Sequence, residues 1–320
     1  MSIRFGIIGC SRVAERRFLP AIAVSKRAAL SFVGSRDTEK ARKYADKFHA
    51  TRFGSYEDVL ASKDVDAVYI STPPTLHYEW IVKAARAGKH IICEKPACMD
   101  YKSARGAVRA CRKAGVRLME NYAFLYHPQH AAARGLMLDI GSIKRISTRY
   151  FYPFPPEGDI RFNQSLGGGV FHDSFGYPIA LAHFYFGEFP ESISCAQTID
   201  TRLGIDIAAE IVLRFSRNRT LDGKVKMGSA EYASSYILHG DCGSVEVLRA
   251  FAVPADKPAE ILRTINGRVE KIQIPPASQF QLALDDFCDA VSGKIQKDFE
   301  KELLARAQMK NAAAKCLTRK

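Results

Sequence analysis

With 320 residues, the chain exceeds the usual size of a single hydrophobic core and predicts two domains, while 47% hydrophobic and 25% charged side chains argue against disorder. No run of about 18 apolar residues suggests a membrane span, and the opening MSIRFGIIGC lacks the regions of a signal peptide, so we expect a cytoplasmic protein. The formal net charge of +13 raises the question of nucleic-acid binding, but the basic residues are spread along the chain without an aromatic and basic signature, so no nucleic acid is expected. An anionic small substrate explains some of the charge equally well.

The first part of the chain alternates short apolar runs with longer amphipathic segments, up to about residue 120. The apolar runs predict strands at IRFGIIG, LSFVGS, VDAVYIST, KHIICEKP and VRLMEN, with helices between them. Such alternation is typical of a parallel sheet with helices on both faces. We therefore predict a doubly wound domain over residues 1–122.

The pattern changes after about residue 141 to longer strands with few helices between them, at SIKRISTRYFYPF, DIAAEIVLRFS, EYASSYILHG and GSVEVL. This favours a second domain over residues 123–320, with a mostly antiparallel sheet that has one exposed face. A monomer rarely exposes a large apolar face, so we expect a homodimer or homotetramer. Two helices near residues 279–291 and 300–317 are expected to pack back on the body.

The turn after the first predicted strand, GIIGCSRVA, lies between a strand and a helix, as a dinucleotide-binding turn does. Gly9 would form the tight turn, and Ala14 would let the helix pack closely on the strand. Ser11 replaces the middle glycine of the G-x-G-x-x-G/A pattern, but a small residue still lets the backbone approach a pyrophosphate at the helix N-terminus. Alone, the motif would also fit an ordinary strand-to-helix turn. The cofactor-binding candidates here are Gly9, Cys10, Ser11, Arg12 and Val13.

The end of the second predicted strand indicates which dinucleotide is bound. The run VGSRDTEKA places Ser35 and Arg36 where NAD-binding domains usually carry an Asp or Glu for the ribose hydroxyls. A hydroxyl and a guanidinium can both bind the 2′-phosphate of NADP, the guanidinium in a bidentate manner. Asp37 and Thr38 can cap the next helix at the same time, so the pattern favours NADP(H) as the cofactor.

Lys95 stands at the carboxyl end of a predicted strand, in the run HIICEKPAC. In an open parallel sheet the ligand lies outside the carboxyl ends of the strands, so Lys95 would stand beside a bound nicotinamide. Pro96 restricts Lys95 to extended backbone and could hold a cis bond that aims the lysine side chain. Taken alone, Lys95 would also fit a surface lysine at a strand end.

Four ordered motifs, GIIGC, STPPTLHYEW, CEKP and GGGVFHDSFGYP, resemble the Gfo/Idh/MocA family, the glucose-fructose oxidoreductase and inositol dehydrogenase group. The resemblance covers nearly the whole chain and implies an α/β fold, with an N-terminal Rossmann domain and a C-terminal α/β domain whose large open sheet commonly serves oligomerisation. It implies that Lys95 of the EKP motif contacts substrate and nicotinamide. It adds further cofactor-binding candidates, namely Ser71, Thr72, Pro73, His77 and Glu94.

The run LGGGVFHDSFGYPIALAHFYFG predicts a glycine turn followed by a helix, on which Asp173 and Tyr177 are four residues apart and share a face. Many members of the resembled family have an Asp and a His at this spacing, and the His exchanges the substrate proton. Here Tyr177 takes that place. A phenol with a pKa near ~10 suits proton donation to a carbonyl, especially if Lys95 stabilises the phenolate that forms. His172 is a rival proton donor, but helical spacing directs it away from this face.

Two other runs, GCSRVAERRFLPAI and MENYAFLYHPQHAAARGLM, look like the branch of the family that reduces a 3-keto-deoxyhexose attached to a nucleoside diphosphate. The run GDIRFNQSLGGG is shared more widely, including with xylose and dihydrodiol dehydrogenases. The substrate-binding candidates in and near these runs are Tyr122, His127, Arg161 and Gln164.

The sequence and the resemblance thus predict an NADP-dependent sugar oxidoreductase that reduces the keto group of a nucleotide-linked keto-sugar by hydride transfer from NADPH. Tyr177 would donate the proton, and Lys95 and Asp173 would be the other catalytic residues. Asp173 would bind a sugar hydroxyl or orient Lys95. Two alternatives stay open, an NADP-dependent dehydrogenase of free sugars or cyclic diols and a non-catalytic NADP-binding regulator. The eight cysteines form no CxxC or zinc-like pattern, so no metal is expected.

Overall fold

The chain divides into two compact units in the computed structural model, which describes residues 2–319. The first unit holds the residues up to Ala123 together with Phe280–Ala307. The second holds Phe124–Gln279 and the residues from Gln308 onward. The expected boundary between residues 122 and 123 left the C-terminal helices in the second domain, whereas the chain returns to the first unit over Phe280–Ala307.

Regular structure is distributed along the whole described chain. The strands are β1 (Ile3–Ile8), β2 (Ala28–Gly34), β3 (Arg52–Gly54), β4 (Ala67–Ile70), β5 (His90–Glu94), β6 (Leu118–Asn121), β7 (Arg145–Tyr152), β8 (Ser192–Asp200), β9 (Ile205–Phe215), β10 (Arg219–Met227), β11 (Ala233–His239), β12 (Gly243–Val247), β13 (Ala259–Ile265), β14 (Arg268–Ile274) and β15 (Leu317–Arg319). The helices are α1 (Leu19–Val24), α2 (Thr38–Phe48), α3 (Tyr56–Ala61), α4 (His77–Arg86), α5 (Tyr101–Ala114), α6 (Pro128–Gly135), α7 (Met137–Ile140), α8 (Val170–Asp173), α9 (Gly176–Phe186), α10 (Gln279–Val291) and α11 (Phe299–Lys315). The strands predicted from apolar runs correspond to β1, β2, β4 to β7, β9, β11 and β12.

The first unit is built on a parallel sheet with the strand order β3-β2-β1-β4-β5-β6. Its central strands are apolar because helices cover both faces, and β4 is buried along its whole length. The order reverses between β1 and β4, which is the point where open α/β sheets bind their ligands. The predicted doubly wound Rossmann domain is therefore confirmed.

The second unit is built on a larger mixed sheet with the order β14-β13-β12-β11-β7-β10-β9-β8-β15. The pairs β7–β10 and β8–β15 are parallel, and the other neighbours are antiparallel. This confirms the α/β class and the mostly antiparallel second sheet that were predicted.

The solvent-side face of the second sheet is less apolar than the sequence led us to expect. Along β10, buried residues alternate with the exposed Lys224 and Lys226. Lys224 pairs with Glu210 of the neighbouring β9 at 3.2 Å, and Lys271 of β14 pairs with Glu260 of β13 at 2.7 Å. The prediction of an apolar exposed face is wrong for these strands, because charged side chains occupy their outward positions. The dimer or tetramer expected from that face stays a prediction.

Candidate active site

The carboxyl edge of the first sheet carries the loops that were predicted to bind the cofactor. These loops follow β1, β2, β4 and β5, at residues 9–13, 35–36, 71–73 and 94–96. Because the carboxyl ends of parallel strands meet at the same edge of a sheet, the loops are neighbours in space. They lie on both sides of the reversal between β1 and β4.

The turn after β1 is tight and closely packed. Gly9 has a φ of +104°, and a Cβ there would lie 3.0 Å from the Thr72 backbone nitrogen and 3.1 Å from the Ser71 carbonyl carbon. The next residue, Cys10, directs its Sγ to the Gly34 carbonyl oxygen at 3.8 Å, and burial raises the pKa of its thiol to about 11. Only glycine fits the first position, and the cysteine is a neutral, packed thiol at neutral pH.

Ser11, which replaces the middle glycine of the pattern, supports the turn with its own side chain. Its Oγ accepts the backbone N–H of Ala14 at 3.1 Å, and its N–H donates to the Gly9 carbonyl at 3.0 Å. Arg12 is exposed and Val13 is half-buried. The substitution therefore keeps the turn small enough for a backbone approach while adding a cap to the helical segment that follows.

The loop after β4 offers a further feature that fits a dinucleotide. Ser71 Oγ donates to the Gly9 carbonyl at 2.7 Å and joins this loop to the turn after β1. Thr72 Oγ1 is buried and has no hydrogen-bond partner among the residues that the structure describes, and Pro73 beside it is half-buried. A buried hydroxyl without a partner costs about 1–3 kcal/mol, which a ligand would recover. The tight glycine turn and this hydroxyl together fit a dinucleotide.

Ser35 and Arg36 lie at the end of β2, as predicted. Ser35 is buried and its Oγ accepts the Asp37 N–H at 3.2 Å, whereas Arg36 is exposed. The Asp37 carboxylate caps α2 by accepting the Lys40 N–H at 3.1 Å. The carboxylate is therefore engaged with the helix, and Arg36 beside it is exposed.

Glu94, at the end of β5, lies in a buried polar cluster. Its Oε1 accepts the Tyr69 hydroxyl at 2.6 Å and Asn121 Nδ2 at 2.7 Å. Burial raises the pKa of the Glu94 carboxyl, and these two hydrogen bonds oppose the rise. Tyr69 and Asn121 were not predicted, because a polar residue inside an apolar strand gives no local signal of its partner.

His77 joins the loops after β4 and β5 from a position that is only 1% exposed. Its Nδ1 lies 2.8 Å from the Pro96 carbonyl oxygen and its Nε2 lies 2.7 Å from the Thr72 carbonyl oxygen. Burial lowers the pKa of its imidazole. Since both ring nitrogens contact backbone, His77 would act on a cofactor through the loops that it holds.

The segment that carries Lys95 is held by its backbone. The Lys95–Pro96 peptide bond is cis, as the sequence suggested, and Lys95 is half-buried at the end of β5. The Ala97 N–H donates to Glu120 Oε1 at 3.0 Å. Together with the contact between Pro96 and His77, this bond fixes the chain immediately after the lysine.

Asp173 is the centre of a hydrogen-bonded group in the second unit. Its Oδ2 accepts Arg161 Nε at 2.8 Å, Ser174 Oγ at 3.0 Å and the Tyr152 hydroxyl at 3.2 Å. Arg161 also pairs with Asp159 at 3.0 Å. The Asp173 charge raises the pKa of the Arg161 guanidinium, so the pair stays ionised. The structure thus brings together two residues that the sequence assigned to separate roles.

Asp173 and Tyr177 do not lie on one continuous helix, and this part of the prediction is wrong. The helices α8 and α9 are separate because the pattern of backbone hydrogen bonds changes between them. The N–H groups of Ser174 and Phe175 both donate to the Val170 carbonyl, at 2.8 and 2.9 Å, and the Tyr177 N–H donates to the Ser174 carbonyl at 3.1 Å. The regular spacing of four residues is therefore lost at this point.

Tyr177 packs its ring in an aromatic cluster of the second unit. The ring centroids of Phe251, Tyr150 and Phe124 lie 4.9, 5.0 and 5.5 Å from that of Tyr177. Pairs at these distances favour tilted and edge-to-face arrangements, which fix the plane of the ring. The aromatic neighbours were not predicted, since they come from distant parts of the chain.

Two histidines named as candidates are mainly neutral at pH 7. Burial, together with the Lys310 charge, lowers the pKa of His172 to about 4. Burial also lowers the pKa of His127, whose Nδ1 accepts the Gln129 N–H at 3.3 Å and caps α6. A neutral imidazole is a weak acid, so neither side chain is well suited to donate a proton at this pH.

The remaining candidates differ in exposure. Tyr122, just after β6, is 5% exposed, and the Arg306 guanidinium lies 5.1 Å from its ring centroid. Gln164 is exposed in a short 3₁₀ turn that precedes the glycine turn before α8. Tyr122 belongs to the first unit and Gln164 to the second.

Neither a membrane span nor a metal cluster is present in the described part of the chain. Across residues 2–319, no helix is long and apolar enough to cross a membrane. Over the same residues, no group of three or more His, Cys, Asp or Glu side chains is arranged to hold a metal ion. The cysteines are free thiols, and of them Cys242 and Cys316 are exposed.

Two family profiles match the chain. Residues 3–122 match an oxidoreductase family with an NAD-binding Rossmann fold. Residues 137–246 match the GFO/IDH/MocA C-terminal domain. The matched segments fall in the first and second units, respectively.

Known proteins are similar to the chain over nearly its full length. The dTDP-3,4-didehydro-2,6-dideoxy-alpha-D-glucose 3-reductase of Actinomadura kijaniata is 31% identical, over 97% of this chain and 94% of the relative. The D-xylose 1-dehydrogenase (NADP(+)) 2 of Haloferax volcanii is 30% identical, over 90% of this chain and 88% of the relative. The crystal structure of KijD10, a 3-ketoreductase from Actinomadura kijaniata in complex with NADP and TDP-benzene, has a TM-score of 0.95 and 30% identity, covering 100% of this chain and 99% of that one. The chain belongs to the Gfo/Idh/MocA family of oxidoreductases.

Proposed function

We propose that this chain uses NADPH to reduce a keto group of a nucleotide-linked keto-sugar. The observation that carries the proposal is Tyr177, a phenol four residues after Asp173, where many members of this family have a histidine. The relatives support the substrate class, since one is named as a reductase of a dTDP-linked keto-sugar and KijD10 was crystallised with NADP and TDP-benzene.

The cofactor would be held at the carboxyl edge of the first sheet. The backbone of the Gly9 turn would approach the pyrophosphate, and the buried Thr72 hydroxyl would find its partner there. Ser35 and the exposed Arg36 would bind the 2′-phosphate. NADPH bound in this way supplies the hydride.

Tyr177 would give the ketone oxygen its proton. A phenol has a pKa near ~10 and is protonated at neutral pH, so it can donate without first taking up a proton. The neighbouring rings hold the plane of the phenol in place. Less conformational entropy of the side chain is therefore lost on reaching the transition state.

Lys95 and Asp173 are the other two residues proposed to act on the substrate. The Lys95 ammonium would polarise the carbonyl and stabilise the phenolate that forms at Tyr177. The Asp173 carboxylate would bind a sugar hydroxyl. Arg161 donates to Asp173 at 2.8 Å and also pairs with Asp159. Because both carboxylates already neutralise its charge, Arg161 would position the Asp173 carboxylate rather than bind the diphosphate of the substrate.

A second candidate function is the NADP-dependent oxidation of a free sugar. It is favoured by the similarity to the Haloferax volcanii D-xylose dehydrogenase, at 30% identity over 90% of this chain. A non-catalytic NADP-binding regulator is disfavoured, because a sensor does not need a lysine and a phenol at the positions of Lys95 and Tyr177.

The proposed substrate class predicts a clear order of activities. With NADPH, we expect kcat/KM for a dTDP-linked 3-keto-2,6-dideoxyhexose to exceed that for the free keto-sugar by at least roughly tenfold, because only the linked substrate contributes nucleotide binding energy. NADPH absorbance measures both rates, and Lys95→Ala protein purified in parallel reveals any contaminating reductase. Faster oxidation of free xylose with NADP would favour the second candidate, and cofactor binding without any hydride transfer would favour the regulator.

The cofactor assignment predicts a preference that depends on Arg36. NADP(H) should bind at least roughly tenfold more tightly than NAD(H), a difference of about 1.4 kcal/mol, because the guanidinium binds the 2′-phosphate. Fluorescence titration should show that Arg36→Ala removes most of this preference. Arg42→Ala is the matched control, since Arg42 lies on α2 and pairs with Glu39 and Asp46. Equal affinities in the unaltered protein would contradict the assignment.

A further inference from the structure

A buried ion pair in the first unit joins α11 to the end of β6. Arg306 Nε donates to Glu120 Oε2 at 3.0 Å, and the two side chains are only 6% and 8% exposed. Arg306 also lies 3.5 Å from Glu302, one turn earlier on its helix. The proposed reaction uses neither Glu120 nor Arg306, so their burial as charged groups needs another explanation.

The same carboxylate holds the backbone that follows Lys95. Glu120 Oε1 accepts the N–H of Ala97 at 3.0 Å, and Ala97 is fully buried. Pro96 has no N–H, so Ala97 offers the first backbone donor after the lysine. The Pro96 carbonyl contacts His77 at 2.8 Å, and the segment is therefore fixed through both an acceptor and a donor.

Stability alone does not explain a charged pair at this place. Taking two charges out of water is costly, and replacing a buried pair by packed apolar side chains is often neutral or stabilising. An apolar pair could fill the space, but it could not accept the Ala97 N–H, which would then be a buried donor without a partner. What the pair provides beyond packing is an oriented acceptor for that N–H.

Arg306 keeps this acceptor in one position. Its guanidinium bonds the second oxygen of the Glu120 carboxylate, so rotation of the carboxylate would break two interactions at once. The same guanidinium covers the ring of Tyr122 at 5.1 Å. The buried Arg306 guanidinium therefore orients both the carboxylate that binds the Ala97 N–H and the ring of Tyr122, a substrate-binding candidate.

We propose that Glu120 is a positioning residue for Lys95 and that Arg306 keeps it in place. The carboxylate fixes the Ala97 N–H, and this sets the direction in which the backbone presents the Lys95 ammonium to the substrate. The inference rests on the proposed function for the role of Lys95. The bond between Glu120 and Ala97 can nevertheless be measured without any substrate.

Two matched double variants separate the acceptor from the charge. Glu120→Gln with Arg306→Met removes both charges but keeps a side-chain carbonyl for the Ala97 N–H. Glu120→Met with Arg306→Met also removes both charges and fills a similar volume, but it has no acceptor. The two proteins differ only in the group that faces Ala97, so any difference between them reports on that bond.

We expect the variant without the acceptor to lose turnover and to loosen the segment. A displacement of about 1 Å in a positioned group can lower turnover by roughly a hundredfold, so kcat should fall by roughly ten- to a hundredfold while the NADPH Kd changes by less than about twofold. Hydrogen exchange at the Ala97 amide should become at least roughly tenfold faster. The variant with Gln keeps an acceptor but lacks the Arg306 guanidinium that orients it, so both its losses should be smaller than those of the variant without the acceptor.

Equal turnover in the two double variants, or unchanged exchange at Ala97 when the acceptor is removed, would overturn the proposal. If a thermal melt shows that the variant with Met at both positions is not folded, Glu120→Asp takes its place. Aspartate keeps the charge, but it is one methylene too short to reach Ala97 and Arg306 together. It should therefore show the same losses. Lys95→Ala provides the reference. If that change leaves turnover intact, the proposed role of Lys95 fails, whereas exchange at Ala97 still decides whether Glu120 holds the segment.

Discussion

Tyr177→Phe is expected to lower turnover by roughly 10²- to 10⁴-fold, the usual contribution of a general acid, while NADPH binding stays nearly unchanged. Phenylalanine keeps the ring, so the packing against Phe251 and Tyr150, with centroids 4.9 and 5.0 Å away, is retained and only the hydroxyl is lost. Stopped-flow measurement of NADPH oxidation with the keto-sugar gives the rate of the chemical step.

The matched control for this change is Tyr185→Phe. Tyr185 also lies on α9 and is half-buried, and its hydroxyl bonds that of Tyr236 at 2.7 Å, so the control removes a hydrogen-bonded phenol hydroxyl from the same helix. Its turnover should remain near the unaltered value. Near-normal turnover in Tyr177→Phe would mean that the proton comes from elsewhere. A water molecule would then be the next candidate, ahead of His172 and His127, whose pKa values are lowered by burial.

Lys95→Ala should lose at least as much turnover as Tyr177→Phe. The change removes both the polarisation of the carbonyl and the stabilisation of the phenolate, which are two contributions of one ammonium. If Lys95 and Tyr177 act as one unit, the double variant should be little worse than the worse single variant, since the effects of such residues are not additive.

The same stopped-flow assay measures all three proteins, and fluorescence titration verifies that each still binds NADPH. Lys102→Ala is the control, because Lys102 is an exposed lysine on α5 and its loss should leave turnover unchanged. Losses that simply multiply in the double variant would show that Lys95 and Tyr177 act independently, contrary to the proposed chemistry.

Much of the first sheet could be predicted because its fully buried strands carry their own signal. β4 and β6 are buried along their whole length, and such strands give short apolar runs between turns. β3 was missed because its three residues are mostly exposed and form no run. In the second sheet, β14 was missed for the same reason, since six of its seven residues are exposed or half-buried.

In the candidate site, too, features with a local sequence signal could be predicted, and contacts between distant residues could not. The Gly9 turn and the Lys95–Pro96 segment could be predicted because a strand and its following turn are adjacent in sequence. The pairing of Glu120 with Arg306 could not, since the two residues are 186 positions apart and nothing local marks either as a partner of the other. The break before Tyr177 was also invisible, because the residues between α8 and α9 are compatible with a helix.

The return of the chain to its first unit over Phe280–Ala307 has a consequence for synthesis on the ribosome. Domains generally fold in order from the N-terminus as they emerge, but the first unit here cannot be completed in that order. Until α10 and α11 are made, Glu120 has no Arg306, and Phe5 lacks the Phe287 ring that packs 6.3 Å from it. The Glu120 carboxylate therefore lacks its cation, and apolar surface of the Rossmann sheet stays uncovered, while Phe124–Gln279 of the second unit is translated. During this interval the nascent chain exposes apolar surface of the kind that makes folding intermediates prone to aggregation.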